Sequence, residues 1–141
     1  MAFKSGHLGK VTLGATTVVG MGNWELPGIT TDLLESTAFG DTAKQFMTGL
    51  LDYGPVNFGG LYDPADVTGQ AVLVSANLNS SKVNVIRLYV DNTTYWTPDV
   101  TTVSAAGMYV QSTAIGLDKS GLATIKFTGK CTGPWVLTSG A

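Results

Sequence analysis

The sequence predicts a mainly β fold, a β-sandwich or rolled β-barrel with one flanking α-helix, and three observations lead there. Gly occurs 18 times in 141 residues, with Thr and Val recurring between the glycines, a composition of turns and strands. Several short runs alternate apolar and polar residues, the period of a half-buried strand. One segment alone carries helical spacing.

The elements follow in order. "KVTLGATTVVGM" (10–21) reads as two short strands around a turn at Gly14 and Ala15. "NWELPGITTDLLEST" (23–37) is a second strand region, interrupted at Pro27 and Gly28, where the missing proline donor argues for an edge or a bulge. "PVNFGGLYD" (55–63) sets Val56, Phe58, Gly60 and Tyr62 on one face. A helix is expected at about 64–78. Asp63 would be its N-cap, Pro64 its first helical residue, and Asp66 a carboxylate in the first turn. Val67, Ala71, Val74 and Leu78 would form its buried stripe. Strands then follow at 82–90, 93–101, 107–115 and 122–130, the last two joined by a hairpin turn at "LDKSG". In the last of these, Ile125 and Phe127 face one way and Thr124, Lys126 and Thr128 the other. The segment 82–90 is apolar on both faces, with Ile86 and Leu88 on one and Val83, Val85 and Tyr89 on the other. Two coverings suit it, the helix or another subunit. The chain reads as one domain over 1–141, with 1–8 and 132–141 as terminal arms.

Composition narrows the function classes. Charged residues make up 13% of the chain, about half of the usual share, so little keeps one copy apart from the next. The net charge is −2 and the basic residues are scattered, which is not the footprint of a nucleic-acid binder. Cys131 is the single cysteine, so no intramolecular disulfide forms. The N-terminus lacks the apolar core of a secretory leader, and no run matches the ~18 apolar residues of a membrane helix. The expectation is a protein folded in a cytoplasm.

Candidate chemistry is thin. His7 stands alone near the start, and Cys131 has no base in sequence reach. "GMGNWE" (20–25) starts like a dinucleotide fingerprint but puts Glu25 at the third glycine, so it is a turn. "DPAD" (63–66) offers two carboxylates and no further metal ligands. "NSS" (79–81) and "NTT" (92–94) match the glycosylation sequon, which counts only behind a secretory leader. No catalytic, cofactor or metal residue is expected. Glu25, Asp32 and Glu35 cluster in one strand region, flanked by Asp41 and Asp52. They read as a solvated face, or as a patch that repels another polyanion. "ESTAFGDTAKQFMTGLLDYG" (35–54) is too long for a tight hairpin and too apolar for an ordinary loop, with Phe39, Phe46, Met47, Leu50 and Leu51.

"GITTDLLESTAFGDT", "GLLDYGPVNFGGLYDP", one helix and late strands such as "GMYVQSTAIGL" and "ATIKFTGK" together resemble the tail tube protein, or major tail protein, of long-tailed bacteriophages. The resemblance runs in order over nearly the whole chain. It implies a structural virion protein that self-assembles into stacked hexameric rings, forming a hollow tube through which DNA passes without specific binding. It implies a tape-measure protein and tail initiator and terminator proteins as partners, no membrane, and assembly in the host cytoplasm. Residues 36–51 become an assembly loop in which Phe39, Phe46, Met47, Leu50 and Leu51 meet a neighbouring subunit. Asp32 and Glu35 become bore-lining candidates, and Pro27 and Pro55 interrupt strands of the bore. The alternative is a virion decoration or receptor-binding β-domain in a small defined oligomer.

Overall fold

The structure, a computed structural model, describes residues 9–91 and 93–139. It is a β-sandwich with one helix and a projecting two-stranded ribbon. The elements are β1 (Lys10–Leu13), β2 (Thr16–Thr17), β3 (Met21–Glu25), β4 (Thr30–Glu35), β5 (Phe46–Asp52), β6 (Pro55–Leu61), α1 (Gln70–Leu78), β7 (Lys82–Val83), β8 (Ile86–Tyr89), β9 (Thr94–Pro98), β10 (Gly107–Gly116), β11 (Thr124–Thr132) and β12 (Trp135–Ser139). One sheet runs β12-β9-β8-β1-β2, the other β3-β6-β11-β10-β7, and β4-β5 stand apart as a pair. Every pairing is antiparallel.

The core fills the space between the two sheets. Val11, Ile86, Leu88 and Trp135 enter it from the first sheet, and Val56, Phe58, Ile125, Phe127 and Met108 from the second. The Phe58 and Phe127 rings lie 5.2 Å apart at a tilt, a favourable aromatic geometry. Two indoles stitch the layers together, each giving its N–H to a carbonyl of the opposite sheet. Trp24 Nε1 donates to Tyr89 O at 2.9 Å and Trp135 Nε1 to Gly107 O at 3.2 Å. The expected alternation at 55–61 and 124–130 holds, with Val56, Phe58, Ile125 and Phe127 all inward.

The helix starts later than its sequence signals suggest. Asp63 does not cap it and Pro64 is not its first residue; α1 opens at Gln70 behind Gly69. Residues 63–66 form a turn instead, closed by Ala65 N–H donating to Asp63 Oδ1 and Asp66 N–H to Asp63 O. Such side-chain bonds compete with the helix for the same backbone groups. Asp66 lies outside the helix, yet its Oδ2 accepts the N–H of Gln70 at 3.1 Å and of Val19 at 3.0 Å. The buried face is also rotated: Gln70, Leu73 and Ala76 point inward, while Val67 and Leu78 are exposed. Gln70 turns the helix this way because its side chain is fully used. Its Nε2 donates to Val19 O (2.6 Å) and Leu61 O (2.8 Å), and its Oε1 accepts from Asp63 N (2.9 Å). At the far end Asn77 Nδ2 donates to Val110 O, beside the bulge in β10, and Asn77 Oδ1 accepts from Thr113 Oγ1.

Segment 82–90 is two strands rather than one. β7 pairs with β10 in one sheet and β8 with β1 and β9 in the other. The chain crosses between layers at residues 84–85, so Val83 faces the core from one side and Ile86 and Leu88 from the other. That switch explains Val83, while Val85 stays exposed and Tyr89 half-buried. The tail is not an arm over 132–139, since Thr132 closes β11 and β12 pairs with β9 along its length. Residues 140–141 and the N-terminal arm 1–8 lie outside the described residues.

Gln70→Leu strips partners from Val19 O, Leu61 O and Asp63 N. It is expected to destabilise the fold by about 2–3 kcal/mol, read as a lower urea midpoint at unchanged m-value.

Candidate functional site

Among the described residues, the side chains singled out for chemistry are buried or already hydrogen-bonded. Cys131 is buried, and burial pushes its thiol up to about 12, against the opposing pull of Lys130. A protonated, covered thiol is not a nucleophile. Among the described residues, no three His, Cys, Asp or Glu side chains converge as a metal set would. Asp63 and Asp66 are occupied in the turn before α1. Glu25 accepts from Asn57 Nδ2 across a strand pair. His7 and Asn92 lie outside the described residues.

The surface that stands out is the β4-β5 ribbon. Residues 36–51 are not one loop: Phe46–Asp52 is strand, and the connection is 36–45. The register pairs Glu35 with Phe46, Leu34 with Met47, Leu33 with Thr48 and Thr31 with Leu51. A bulge between Thr31 and Leu33 sets Gly49 and Leu50 against the single residue Asp32. There a Cβ on Gly49 would sit 3.1 Å from the Asp32 Cβ. Every residue of both strands is exposed.

Cross-strand partners share a face, so one face carries Leu33, Glu35, Phe46 and Thr48, and the other Asp32, Leu34 and Met47. Both faces therefore show large apolar side chains to solvent, with Leu50 83% exposed and Leu33 64%. Phe39 sits away from the strands, fully exposed at the tip. The five apolar residues singled out from the sequence thus lie on one protrusion but not on one face. Asp32 and Glu35 fall on opposite faces. Leu33 and Leu34 were hidden from sequence reading inside a strand-like run. Their adjacency is the available signal, because two neighbouring leucines in a strand must point to opposite faces.

The ribbon continues the β3-β6 ladder past a break. Residues 26–29 on one side and 53–54 on the other interrupt the pairing. Pro27 sits in that break, and Pro55 opens β6 opposite Lys130, where a strand tolerates proline. Gly54 has φ +73°, and a Cβ there would collide with the Gly28 carbonyl. Asp52 Oδ1 accepts the Gly54 N–H at 2.8 Å, and its carboxylate meets Lys130 Nζ at 3.1 Å. Those contacts, the Gly54 N–H first, hold the Asp52 carboxyl below its ordinary range. The ion pair is half exposed and adds little energy; its effect is to orient the ribbon at its root.

No protein-family model and no curated protein sequence matches the chain. Solved structures do match its fold over almost its whole length. A chain of the native gene transfer agent virion is 10% identical, with a TM-score of 0.75 over 97% of this chain and 100% of that one. A chain of the empty gene transfer agent tail, refined helically with C6 symmetry, is 10% identical, with a TM-score of 0.73 over the same shares. A chain of the tube-terminating cap of the anti-feeding prophage is 14% identical, with a TM-score of 0.69 over 99% and 93%. What this chain shares with these subunits of phage-like tails is the fold.

Gly54→Ala combines an unfavourable backbone region with a clash, and is expected to cost about 1–3 kcal/mol. Thermal unfolding reads the loss. An unchanged midpoint would mean that the ribbon root repacks freely.

Proposed function

We propose that this chain is a non-enzymatic structural subunit that self-assembles into stacked hexameric rings, forming the hollow tube of a phage-like tail. The observation that carries the reading is the full-length fold match to a subunit of a tail with C6 symmetry. The exposed ribbon supports it independently. A lone copy leaves Leu33, Leu34, Phe46, Met47, Leu50 and Leu51 in water, an apolar surface that marks an interaction site. In the assembly Phe39, Phe46, Met47, Leu50 and Leu51 contact neighbouring subunits.

DNA passes through the bore without specific binding, because retention needs Lys and Arg contacts to phosphates. The opposed faces of Asp32 and Glu35 leave at most one of them on the bore through this ribbon; the other meets a neighbour. A tape-measure protein in the bore, and initiator and terminator proteins at the ends, complete the partner set. The protein resides in the tail and assembles in the host cytoplasm as a single tail-tube-like domain.

A second reading, a terminator that closes a tube with one ring, draws on the likeness to the tube-terminating cap. Negative-stain electron microscopy of purified protein at rising concentration separates the two. Hollow tubes of uniform diameter support the tube subunit, and single rings that never stack support the terminator. Small particles of fixed size would favour the decoration or receptor-binding alternative. Leu50→Asp is expected to suppress tubes while shifting monomer stability by no more than about 0.5 kcal/mol, because Leu50 is solvated in the single chain. Normal tubes from that variant would remove the ribbon from the assembly surface.

A further inference from the structure

A subunit that forms cyclic rings uses a heterologous interface, in which a protrusion meets a different surface of the next copy. The ribbon tip is such a protrusion, and its shape is set in advance. Asp41 Oδ2 accepts the Ala38 N–H at 2.7 Å and Asp41 N–H donates to Ala38 O at 3.1 Å, while Gly40 takes φ +90°. Thr37 Oγ1 accepts the Gln45 N–H at 3.0 Å and Ser36 N–H donates to Gln45 O, closing the base of the loop. This frame holds Phe39 with its ring entirely in water. A preset loop that presents one bare aromatic loses little entropy on docking.

The same chain carries a largely apolar recess between α1 and the β7–β8 crossing. It is open to solvent and offers about 530 Å³, within the size range of pockets that hold small organic groups. Val67, Val72 and Val85 stand exposed at its rim, and Ala71 and Val83 line it. Its one charged lining residue is Lys82, whose ammonium reaches the Ala105 carbonyl at 2.9 Å. The tip pairs its aromatic with an acid two residues on, Asp41, and the recess pairs its apolar floor with a cation. Knob and recess match in polarity and in sign.

We infer that Phe39 of one copy docks in the α1–β7 recess of a neighbouring copy, with Asp41 facing the neighbour's Lys82. This rests on the tube reading and adds to it a specific receptor surface. The test mixes two single variants, Phe39→Cys and Val72→Cys, both at solvated positions, and allows oxidation during assembly. A disulfide-linked dimer on a non-reducing gel is expected from the mixture and from neither variant alone. Tubes or rings that form from the mixture without that dimer overturn the dock and leave the tube reading standing. Wild-type protein that forms neither rings nor tubes under the same conditions overturns both. Phe39→Ala and Val72→Arg give a second check. Each is expected to raise the critical concentration for assembly about tenfold, equivalent to roughly 1.4 kcal/mol, and the double variant no further, since both remove one contact. Additive effects would assign the two residues to separate contacts.

Discussion

Everything distinctive about this chain follows from a ribbon that its own fold does not cover. The sandwich buries its apolar residues between two five-stranded sheets, while β4 and β5 have water on both faces. Taking a large apolar side chain out of water is worth about 1.5–3 kcal/mol. Half of that value for each of six ribbon residues gives roughly 5–9 kcal/mol for a pairwise contact. Association itself costs an estimated 4–15 kcal/mol in lost freedom, so one such contact between two copies is marginal. A subunit held by several neighbours at once meets that entropic cost once and gains from each contact. On the proposed tube reading the same ribbon therefore binds weakly between two copies and firmly in a closed ring.

The rest of the fold holds that ribbon at a defined angle. Its strands are extensions of β3 and β6, so their direction is inherited from the sheet that contributes Phe58 and Phe127 to the core. Where the ladder breaks, Gly54 crosses against Gly28, and the Cys131 N–H donates to the Gly54 carbonyl at 3.0 Å. Farther back, Gln70 binds the β2–β3 turn and the end of β6 to the helix in one set of buried bonds. A buried amide with all its partners specifies one arrangement, since any shift leaves a polar group bare. The recess beside α1 depends on that arrangement, because the helix forms one of its walls.

Much of the sandwich was legible in the residues. The turn at Gly14, the break at Pro27 and Gly28, the hairpin between β10 and β11 and the inward faces of β6 and β11 all follow from turn chemistry and period-two alternation. What failed had tertiary causes. Asp63 and Pro64 form a sound capping pattern, but the backbone there is held in a turn by the Asp63 carboxylate. A buried glutamine chose the helix face over an apolar stripe. The doubly apolar segment 82–90 suggested a hidden covering, whereas the chain simply changes sheets. The apolar tail looked detachable, yet Trp135 is buried in the core. For the ribbon, its apolar content and its first strand, within 23–37, were visible, but the second strand, Phe46–Asp52, was not, because ten residues separate the two paired runs.

That last failure bears on how such a surface works. On the proposed tube reading both faces of this ribbon meet other copies, and a strand covered on both faces has no reason to alternate. Adjacent leucines at 33 and 34, and again at 50 and 51, are what remains in the sequence. In a monomeric protein a ribbon so exposed would invite uncontrolled edge pairing. On the proposed tube reading the bulge at Gly49, the turn-locked tip and the charged Asp32, Glu35 and Lys44 along the ribbon restrict which partner fits. In that assembly the apolar residues would supply the attraction, and the irregularities around them the selectivity.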